Sequence, residues 1–557
     1  MERKRIMKKT FYYISVIGVL CSVLSFTGCK DYLTEQEPGV TMLADFFGSK
    51  EAAVQCVTGC YVPLMWEYNS TYYSEWFIGD IVSDDALKGG QNTNDMAASF
   101  DMENWQTTAS NQILLDFYRA QYQGIARCNV ALQNIPNMAT DTSFTVSLKN
   151  RLLGEAYFLR GYYYFRMLRV FGGVPMVTKV INSESDWIQP RASVSEMFTQ
   201  IKADFAQANK YLWKRSQLKE TEVGRATKGA AQAMLLKVNL YEASPYWNSK
   251  VDASAADLYK EAVAWGDSVI LSGEYALVDS ANYQKMFALE GENGKESIFE
   301  IQYMEVPWGD YGEGNGFTAG SFTQVLVRSR NSKIGGGWGF NHPTWNLYNE
   351  FEPGDPRRDV AILRPTSFEN EVEETYLGSP LLNRKYGMYD NPTEGGGFGQ
   401  WGLHASRGPL NNKQIRYADV LLMYAEACLG TGDNSKAQNA LNEVRSRLSL
   451  PTYPGYSIMV NGTAIATPSL EEALRHERRM ELAMEGHRWF DLVRWNGYNG
   501  LTLAQYMNKE NPGSYASTES VEAQNQMRTF IAGKHEIFPL PAEELELNPA
   551  LEQNDNY

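Results

Sequence analysis

Two consecutive amphipathic segments between Tyr417 and Leu448 constrain the fold of this chain more than any other feature. In both segments apolar side chains recur every three or four positions, which is the spacing of one face of an α-helix. These side chains are Tyr417, Val420, Leu421, Tyr424 and Cys428 before the turn at 430–433, and Ala437, Ala440, Leu441, Val444 and Leu448 after it. We therefore predict two helices whose apolar faces pack against each other.

Similar two-helix units are predicted at 111–170 and 194–243, and a less regular one at 228–272. Two helices in a unit of roughly 34 residues are typical of tetratricopeptide repeats. Repeats of this kind bury a continuous core only when several of them are stacked. We therefore predict a mainly α fold, with a tetratricopeptide-like scaffold of helical pairs at about 45–272 and 416–495.

Capping residues predict where several of these helices begin. Ser193 with Glu196, and Ser469 with Glu472, have the spacing of the capping box, in which each side chain accepts the backbone N–H of the other residue. Glycine in a left-handed conformation commonly ends a helix. We therefore expect the helix that follows Ser469 to end at Gly486.

The region from about 275 to 415 differs in texture from the predicted scaffold. Short apolar runs such as 297–303 alternate with Gly-rich stretches at 309–320 and 335–339. Long loops on a rigid frame are where binding sites are usually found. We therefore predict a loop-rich lobe with short strands, and expect the functional surface there.

Residues 1–28 have the pattern of a bacterial lipoprotein signal peptide. Five basic residues precede an uncharged stretch at 11–26, and Thr27 and Gly28 lead to Cys29. The stretch is short for a membrane span, and the chain becomes polar directly after Cys29. Cleavage before Cys29 would allow acylation, and each buried methylene stabilises membrane attachment by roughly 0.8 kcal/mol. An ordinary secretory leader in which Cys29 is incidental is the alternative.

Composition and motif spacing argue against several function classes. A formal net charge of −15 disfavours a nucleic-acid partner. The six cysteines form no paired CxxC set and the five histidines form no HExxH motif, so we expect no metal site, no cofactor and no catalytic residue. Calcium is the alternative for one oxygen-rich cluster without calcium-loop spacing. That cluster comprises Asp84, Asp85, Asn92, Asn94 and Asp95.

A series of short motifs, in this order, resembles the SusD/RagB family of outer-membrane nutrient-binding lipoproteins. The motifs are 29–33 with Pro38, 154–160 followed by 171–175, 224–228, 337–341 with Pro343 and Thr344, 354–357, 416–422 through 425–427, 477–482 with 485–492, and 539–543 with 548–549 and 553–554. They span nearly the whole chain after Cys29. For the charged motif of Arg478, Arg479, Glu481, Glu485, Arg488 and Asp491, a buried ion-pair network is the physical interpretation that we favour over catalysis.

The resemblance implies a non-enzymatic lipoprotein on the outer membrane, held by lipid on Cys29. It would capture an oligosaccharide or polysaccharide and close as a lid over a SusC-type TonB-dependent transporter, without breaking a bond. A peptide-binding member of the RagB type is one alternative. A glycoside hydrolase is another, because the separation of its two carboxylates cannot be read from a sequence.

Aromatic side chains in polar, Gly-rich loops are the candidate ligand contacts. Rings can cover the C–H faces of sugars, while polar side chains bond the hydroxyl groups. The candidate rings are Trp308, Tyr311, Trp105, Tyr72, Tyr73 and Trp401, and the candidate polar contacts are Asp310, Asn315, Asn92 and Asn94. Packing within the domain is the alternative for each ring. Trp338 lies inside one of the resembling motifs, and we expect it to pack where the backbone turns.

Overall fold

The computed structural model describes residues 46–66, 76–304, 320–366, 378–389, 408–460, 463–509 and 528–557. Residues 53–557 form one compact unit, and residues 1–52 form another, of which 46–52 are described. Cys29 therefore lies outside the described residues. In the part of the chain that is described, no helix is both long enough and apolar enough to span a bilayer.

The described chain consists of α-helices, short strands and the turns and loops that connect them. The helices are α1 Lys50–Tyr61, α2 Trp76–Gly79, α3 Ala97–Glu103, α4 Gln112–Asn134, α5 Val146–Phe171, α6 Glu184–Trp187, α7 Val194–Tyr211, α8 Lys228–Ala243, α9 Pro245–Asn248, α10 Ala255–Ile270, α11 Thr323–Val327, α12 Trp345–Glu350, α13 Pro356–Ala361, α14 Tyr417–Gly430, α15 Asn434–Ser446, α16 Leu470–Glu481, α17 Arg488–Trp495, α18 Leu503–Lys509 and α19 Ala542–Leu547. The strands are β1 Ala86–Gly89, β2 Ser297–Ile301, β3 Phe340–Pro343, β4 Ile362–Leu363, β5 Leu382–Asn383, β6 Asn412–Arg416, β7 Ile458–Val460, β8 Thr463–Ile465, β9 Gly497–Tyr498 and β10 Leu501–Thr502.

The long helices stack in chain order, as the predicted repeats require. Helix α4 packs on α5, α5 on α7, α7 on α8, α8 on α10, α10 on α14, and α14 on α15. Small residues allow the close crossings: a Cβ on Gly266 of α10 would lie 2.4 Å from the Tyr424 ring of α14. The predicted mainly α fold of paired helices is confirmed, including the pair at 417–448.

Both predicted capping boxes are present. The Ser193 hydroxyl accepts the N–H of Glu196, and the Glu196 carboxylate accepts the N–H of Ser193; Ser469 and Glu472 bond in the same way. The expected helix end at Gly486 is wrong, because α16 ends at Glu481. Gly486 lies beyond the following turn, where its N–H donates to the side-chain Oδ1 of the buried Asp80.

The lobe between the helical segments is held by two-stranded antiparallel sheets. Strand β1 pairs with β3, so that Leu87 lies opposite His342 and Gly89 opposite Phe340. Strand β2 pairs with β6, which leads directly into α14 and so joins the lobe to the helical stack. The β1–β3 sheet matters most for the site, because each strand carries one wall of a surface cleft.

A buried network of arginine–carboxylate pairs joins α16 to the lobe and to the helical stack. Arg416 Nη1 lies 2.6 Å from Glu296 and 3.0 Å from Glu481, and its Nη2 lies 2.7 Å from Glu485. Further buried pairs of the network are Arg478–Asp419, Arg478–Asp491, Arg479–Asp84, Arg488–Asp84 and Arg494–Glu426. The charged motif is therefore a structural network, as the sequence predicts.

Candidate functional site: the Trp338 cleft

Most of the predicted ligand contacts lie outside the described residues. These are Trp308, Asp310, Tyr311, Asn315, Trp401, Tyr72 and Tyr73. Ser321 and Gly408 are described residues that follow two of these segments, and each donates its N–H to the carbonyl of the other, at 2.8 and 2.9 Å. The contacts that can be placed are Trp105, Asn92 and Asn94.

The prediction that Trp105 presents an exposed ring is wrong. Its side chain is 6% exposed. The ring meets Phe530 edge to face at 5.2 Å and lies under the guanidinium of Arg528 at 4.8 Å. The chain turns inward after α3, with a φ of 52° at Trp105, so the polar sequence on either side of this ring does not bring it to the surface.

A cavity of about 510 Å³ opens near Asn92 and Asn94, between the loop after β1 and the Gly-rich segment before β3. We call it the Trp338 cleft. It is lined by Gln91, Asp95, Met96, Ala97, Ala98, Gln112, Ile113, Arg330, Trp338 and Phe340. Its volume lies within the range of small-molecule sites, about 300–1,000 Å³. Asn92 and Asn94 are exposed on the loop that forms one wall.

Two glycines bring the walls of the cleft together. Gly90 donates its N–H to the carbonyl oxygen of Gly339 at 2.6 Å. Gly89 has a φ of 73°, and a Cβ there would lie 2.1 Å from that same oxygen. A side chain at Gly89 would therefore combine a strained backbone with a backbone clash. The close approach holds the 89–95 loop against the segment that carries Trp338.

The loop that bears Asp95 is shaped by its own side chains. Asn92 Oδ1 accepts the N–H groups of Asn94 and Asp95, at 2.9 and 3.1 Å, which forms an Asx turn. The carboxylate of Asp95 accepts the N–H of Gln91 at 2.7 Å. Asn92 thus supports the site from within the loop, while Asp95 faces the opposite wall.

Lys88 supports this loop from below. Its side chain is fully buried, and its ammonium donates to the carbonyls of Gly89 and Asn92, at 3.0 and 2.9 Å. The ammonium also lies 5.5 Å from the centre of the Phe340 ring. Burial lowers the pKa of Lys88 to about 8. Lys88 therefore fixes the backbone of one wall from beneath the loop.

The opposite wall carries Trp338 and Arg330. Trp338 is half-buried and packs against an apolar cluster that includes Phe340 and Leu326. The backbone N–H of Trp338 donates to the carbonyl of Val325 at 2.8 Å. The Arg330 guanidinium donates to the Trp338 carbonyl at 3.1 Å and lies 3.4 Å from the carboxylate of Asp95.

The cleft offers the rings of Trp338 and Phe340, two amides and one ion pair. Gln91 and Gln112 supply the amides, and Gln112 also donates to the buried Asp116 at 2.8 Å. Among the described lining residues, Asp95 is the one carboxylate, whereas a glycoside hydrolase needs two that flank the bond. The arrangement suits binding of a molecule with apolar faces and hydroxyl edges.

The acidic cluster considered for calcium is divided between two roles. Asp84 and Asp85 pair with arginines of the buried network, at 2.8 Å for Arg488 with Asp84 and for Arg479 with Asp85. Asp95 belongs to the cleft. In the described parts of the chain, no group of three or more histidine, cysteine or acidic side chains is arranged to hold a metal ion.

Trp338 is the residue of the cleft that the sequence interpretation assigned to packing alone. It does pack, yet part of its side chain also lines the cleft. Its position in the Gly-rich stretch 335–339 could have identified it as a candidate ligand contact, because the other candidate rings were chosen from the same kind of context. Arg330 carried no such signal, because its partner Asp95 is 235 residues away in the chain.

Two family models together match most of the chain. Residues 295–557 match the model described as the SusD family. Residues 31–240 match the model described as starch-binding associating with outer membrane. The two matched ranges include both walls of the Trp338 cleft, since 91–113 lies in one and 330–340 in the other.

Relatives in other bacteria and solved structures match this chain along nearly their full lengths. A SusD-like protein of Bacteroides ovatus is 25% identical over 90% of this chain and 86% of its own, and one of Formosa agariphila is 27% identical over 89% and 92%. A solved laminarin-binding SusD-like protein has a TM-score of 0.70 and 26% identity, and the match covers 92% of this chain and all of that one. Surface glycan-binding protein A of Bacteroides fluxus, at 23% identity, matches in fold, with a TM-score of 0.73 and the same coverage.

Proposed function

Because the chain belongs to the SusD/RagB family, we propose that it is a binding lipoprotein of the outer membrane that captures an oligosaccharide or polysaccharide. It then delivers this ligand to a SusC-type TonB-dependent transporter. The description of one matching family model, starch-binding associating with outer membrane, supports the location and the ligand class. The signal-like leader that ends at Cys29 supports a lipid anchor.

The Trp338 cleft is the observation that carries the proposal. A half-buried indole beside two amides and an ion pair gives a sugar ring a surface for its C–H face and partners for its hydroxyls. The walls are fixed by backbone bonds and by the buried Lys88, so little of the site has to be ordered on binding. A preformed cleft of this kind suits capture.

Glucans are the first ligands to test. A solved relative at 26% identity is a laminarin-binding protein, and one matching family model is described as starch-binding. Capture needs no bond cleavage, and the cleft lacks a pair of carboxylates among its described lining residues. We therefore propose binding without catalysis, followed by transfer of the intact ligand.

A glycan panel tests this function and separates it from the alternatives. The chain without residues 1–28 is run in gels that contain laminarin, starch, xylan or no glycan, and its affinities are measured by calorimetry with casein peptides as a further ligand. Retardation by a glycan, without new reducing ends in solution, is the expected result. New reducing ends would indicate a hydrolase, and binding of peptides alone would indicate a peptide-binding member.

Delivery to a transporter is tested in the native host. The tagged full-length protein is extracted in mild detergent and its partners are identified. A TonB-dependent barrel recovered in near-equal amount is the expected result. Recovery of the protein without a barrel, from cells that take up the glycan, would contradict the delivery step.

A further inference from the structure

The ion pair of Arg330 and Asp95 is only partly withdrawn from solvent. The two side chains are 33% and 30% exposed, and both line the Trp338 cleft. A ligand in the cleft therefore meets the guanidinium and the carboxylate together. Neither charge is available to it alone.

Each member of the pair is held in place by the backbone of its own wall. The Asp95 carboxylate accepts the N–H of Gln91, and the Arg330 guanidinium donates to the carbonyl of Trp338. Breaking the pair would leave Arg330 with a charge that faces the cleft. The charge that the cleft presents to a ligand therefore depends on one side chain, Asp95.

The other charged groups near the cleft are already engaged. Lys88 is buried beneath the loop with its ammonium on two carbonyls, and the carboxylate of Glu103 accepts the Lys88 backbone N–H at 3.1 Å. Asp116 is buried behind Gln112, and burial raises its pKa to about 6. The described lining residues therefore supply no unpaired cation that could offset the cost of desolvating an acidic sugar.

We propose that Asp95 is a specificity-determining residue that neutralises Arg330 and so restricts the Trp338 cleft to uncharged saccharides. Uronic-acid saccharides are disfavoured, because their carboxylates would lose water without gaining a free guanidinium, and would lie near the Asp95 carboxylate. The inference rests on the proposed saccharide-binding function and adds the charge class of the ligand.

Asp95→Asn tests the inference, because asparagine can still accept the N–H of Gln91 through its Oδ1 while it no longer neutralises Arg330. Calorimetry at low and high salt compares hexagalacturonate with laminarihexaose for the wild type and the variant. We expect the ratio of uronate affinity to neutral-glycan affinity to rise at least about tenfold at low salt, and the rise to shrink at high salt.

Two further variants test whether the exposed Arg330 guanidinium causes this rise in the affinity ratio. Asp95→Asn with Arg330→Gln should lose the gain in uronate affinity, because the exposed guanidinium is gone. Asp257→Asn, which removes the same charge from an exposed site on α10, should leave the ratio at the wild-type value. It controls for net charge.

The outcomes separate this inference from the proposed function. If the wild type binds laminarihexaose and the ratio is the same in Asp95→Asn, or if the wild type binds hexagalacturonate as tightly as laminarihexaose, the role of Asp95 is refuted while saccharide binding stands. If the wild type and both Asp95 variants bind neither saccharide, the inference falls together with the glucan-binding function.

Discussion

The backbone N–H of Gly90 lies 2.6 Å from the carbonyl oxygen of Gly339, and this hydrogen bond joins the two walls of the Trp338 cleft. One wall ends in the Asx turn that positions Asp95, and the other begins with Trp338. Residues almost 250 positions apart in the chain thus form one site because strands β1 and β3 pair.

Gly89→Ala should damage this junction. Gly89 has a φ of 73°, and the new Cβ would lie 2.1 Å from the Gly339 oxygen. Gly273, with a φ of 67° and open space around its Cβ position, is the matched control. We expect Gly273→Ala to cost about 1 kcal/mol in the free energy of unfolding, and Gly89→Ala to cost more and to weaken glycan binding. Equal losses in urea unfolding and equal affinities would contradict the close approach.

Arg416→Ala should destabilise the protein strongly. The substitution leaves Glu296, Glu481 and Glu485 buried without this partner. Breaking a buried pair in this way costs about 3–5 kcal/mol. Arg358→Ala removes a partly exposed partner of Asp359 and should cost less than about 1 kcal/mol. Similar midpoints for the two variants in chemical unfolding would argue against a structural role for the network.

Asp80 should make stability depend on pH. Burial, with a smaller effect of the Asp85 charge, raises the pKa of Asp80 to about 8 in the folded protein. Between the unfolded pKa near 3.8 and about 8, the folded state holds the extra proton, so this group lowers the free energy of unfolding as pH rises. The slope is at most about 1.4 kcal/mol per pH unit. Asp80→Asn should flatten the curve between pH 5 and 8, and parallel curves would refute the shift.

Cys29→Ala should separate binding from uptake. Without acyl chains the migration of the protein should still be retarded in a glycan gel, but the variant should no longer support growth on that glycan. Palmitate labelling of wild-type and variant cells checks the modification itself. Equal labelling, or normal growth of the variant, would contradict the lipid anchor.

The sequence predicted the local structure well where a periodic pattern or a cap decides it. The helical pair at 417–448 and both capping boxes were predicted because they depend on residues within one helix or turn. The predicted end of α16 was wrong. Gly486 makes a tertiary contact with Asp80, and the residues around Gly486 in the sequence do not reveal this contact.

The cleft could be predicted only in part. The rule that rings in polar loops are exposed failed at Trp105, because Arg528 and Phe530, more than 400 residues away, cover it. Assigning Trp338 to packing alone missed its contact with the cleft. The pairing of strands β1 and β3 brings the residues of the other wall close to Trp338. These strands are distant in the chain, so sequence periodicity cannot reveal the contact. The predictions for Trp308, Tyr311, Tyr72, Tyr73 and Trp401 stay predictions.

Calorimetric titration of laminarihexaose into wild-type protein, Trp338→Ala and Trp213→Ala tests whether the Trp338 cleft binds the saccharide. Trp213 is also half-buried but stacks on Arg151 in the helical scaffold, so it controls for loss of an indole. We expect at least about a tenfold loss of affinity for Trp338→Ala and wild-type affinity for Trp213→Ala. Wild-type affinity in a folded Trp338→Ala protein would contradict this role of the cleft.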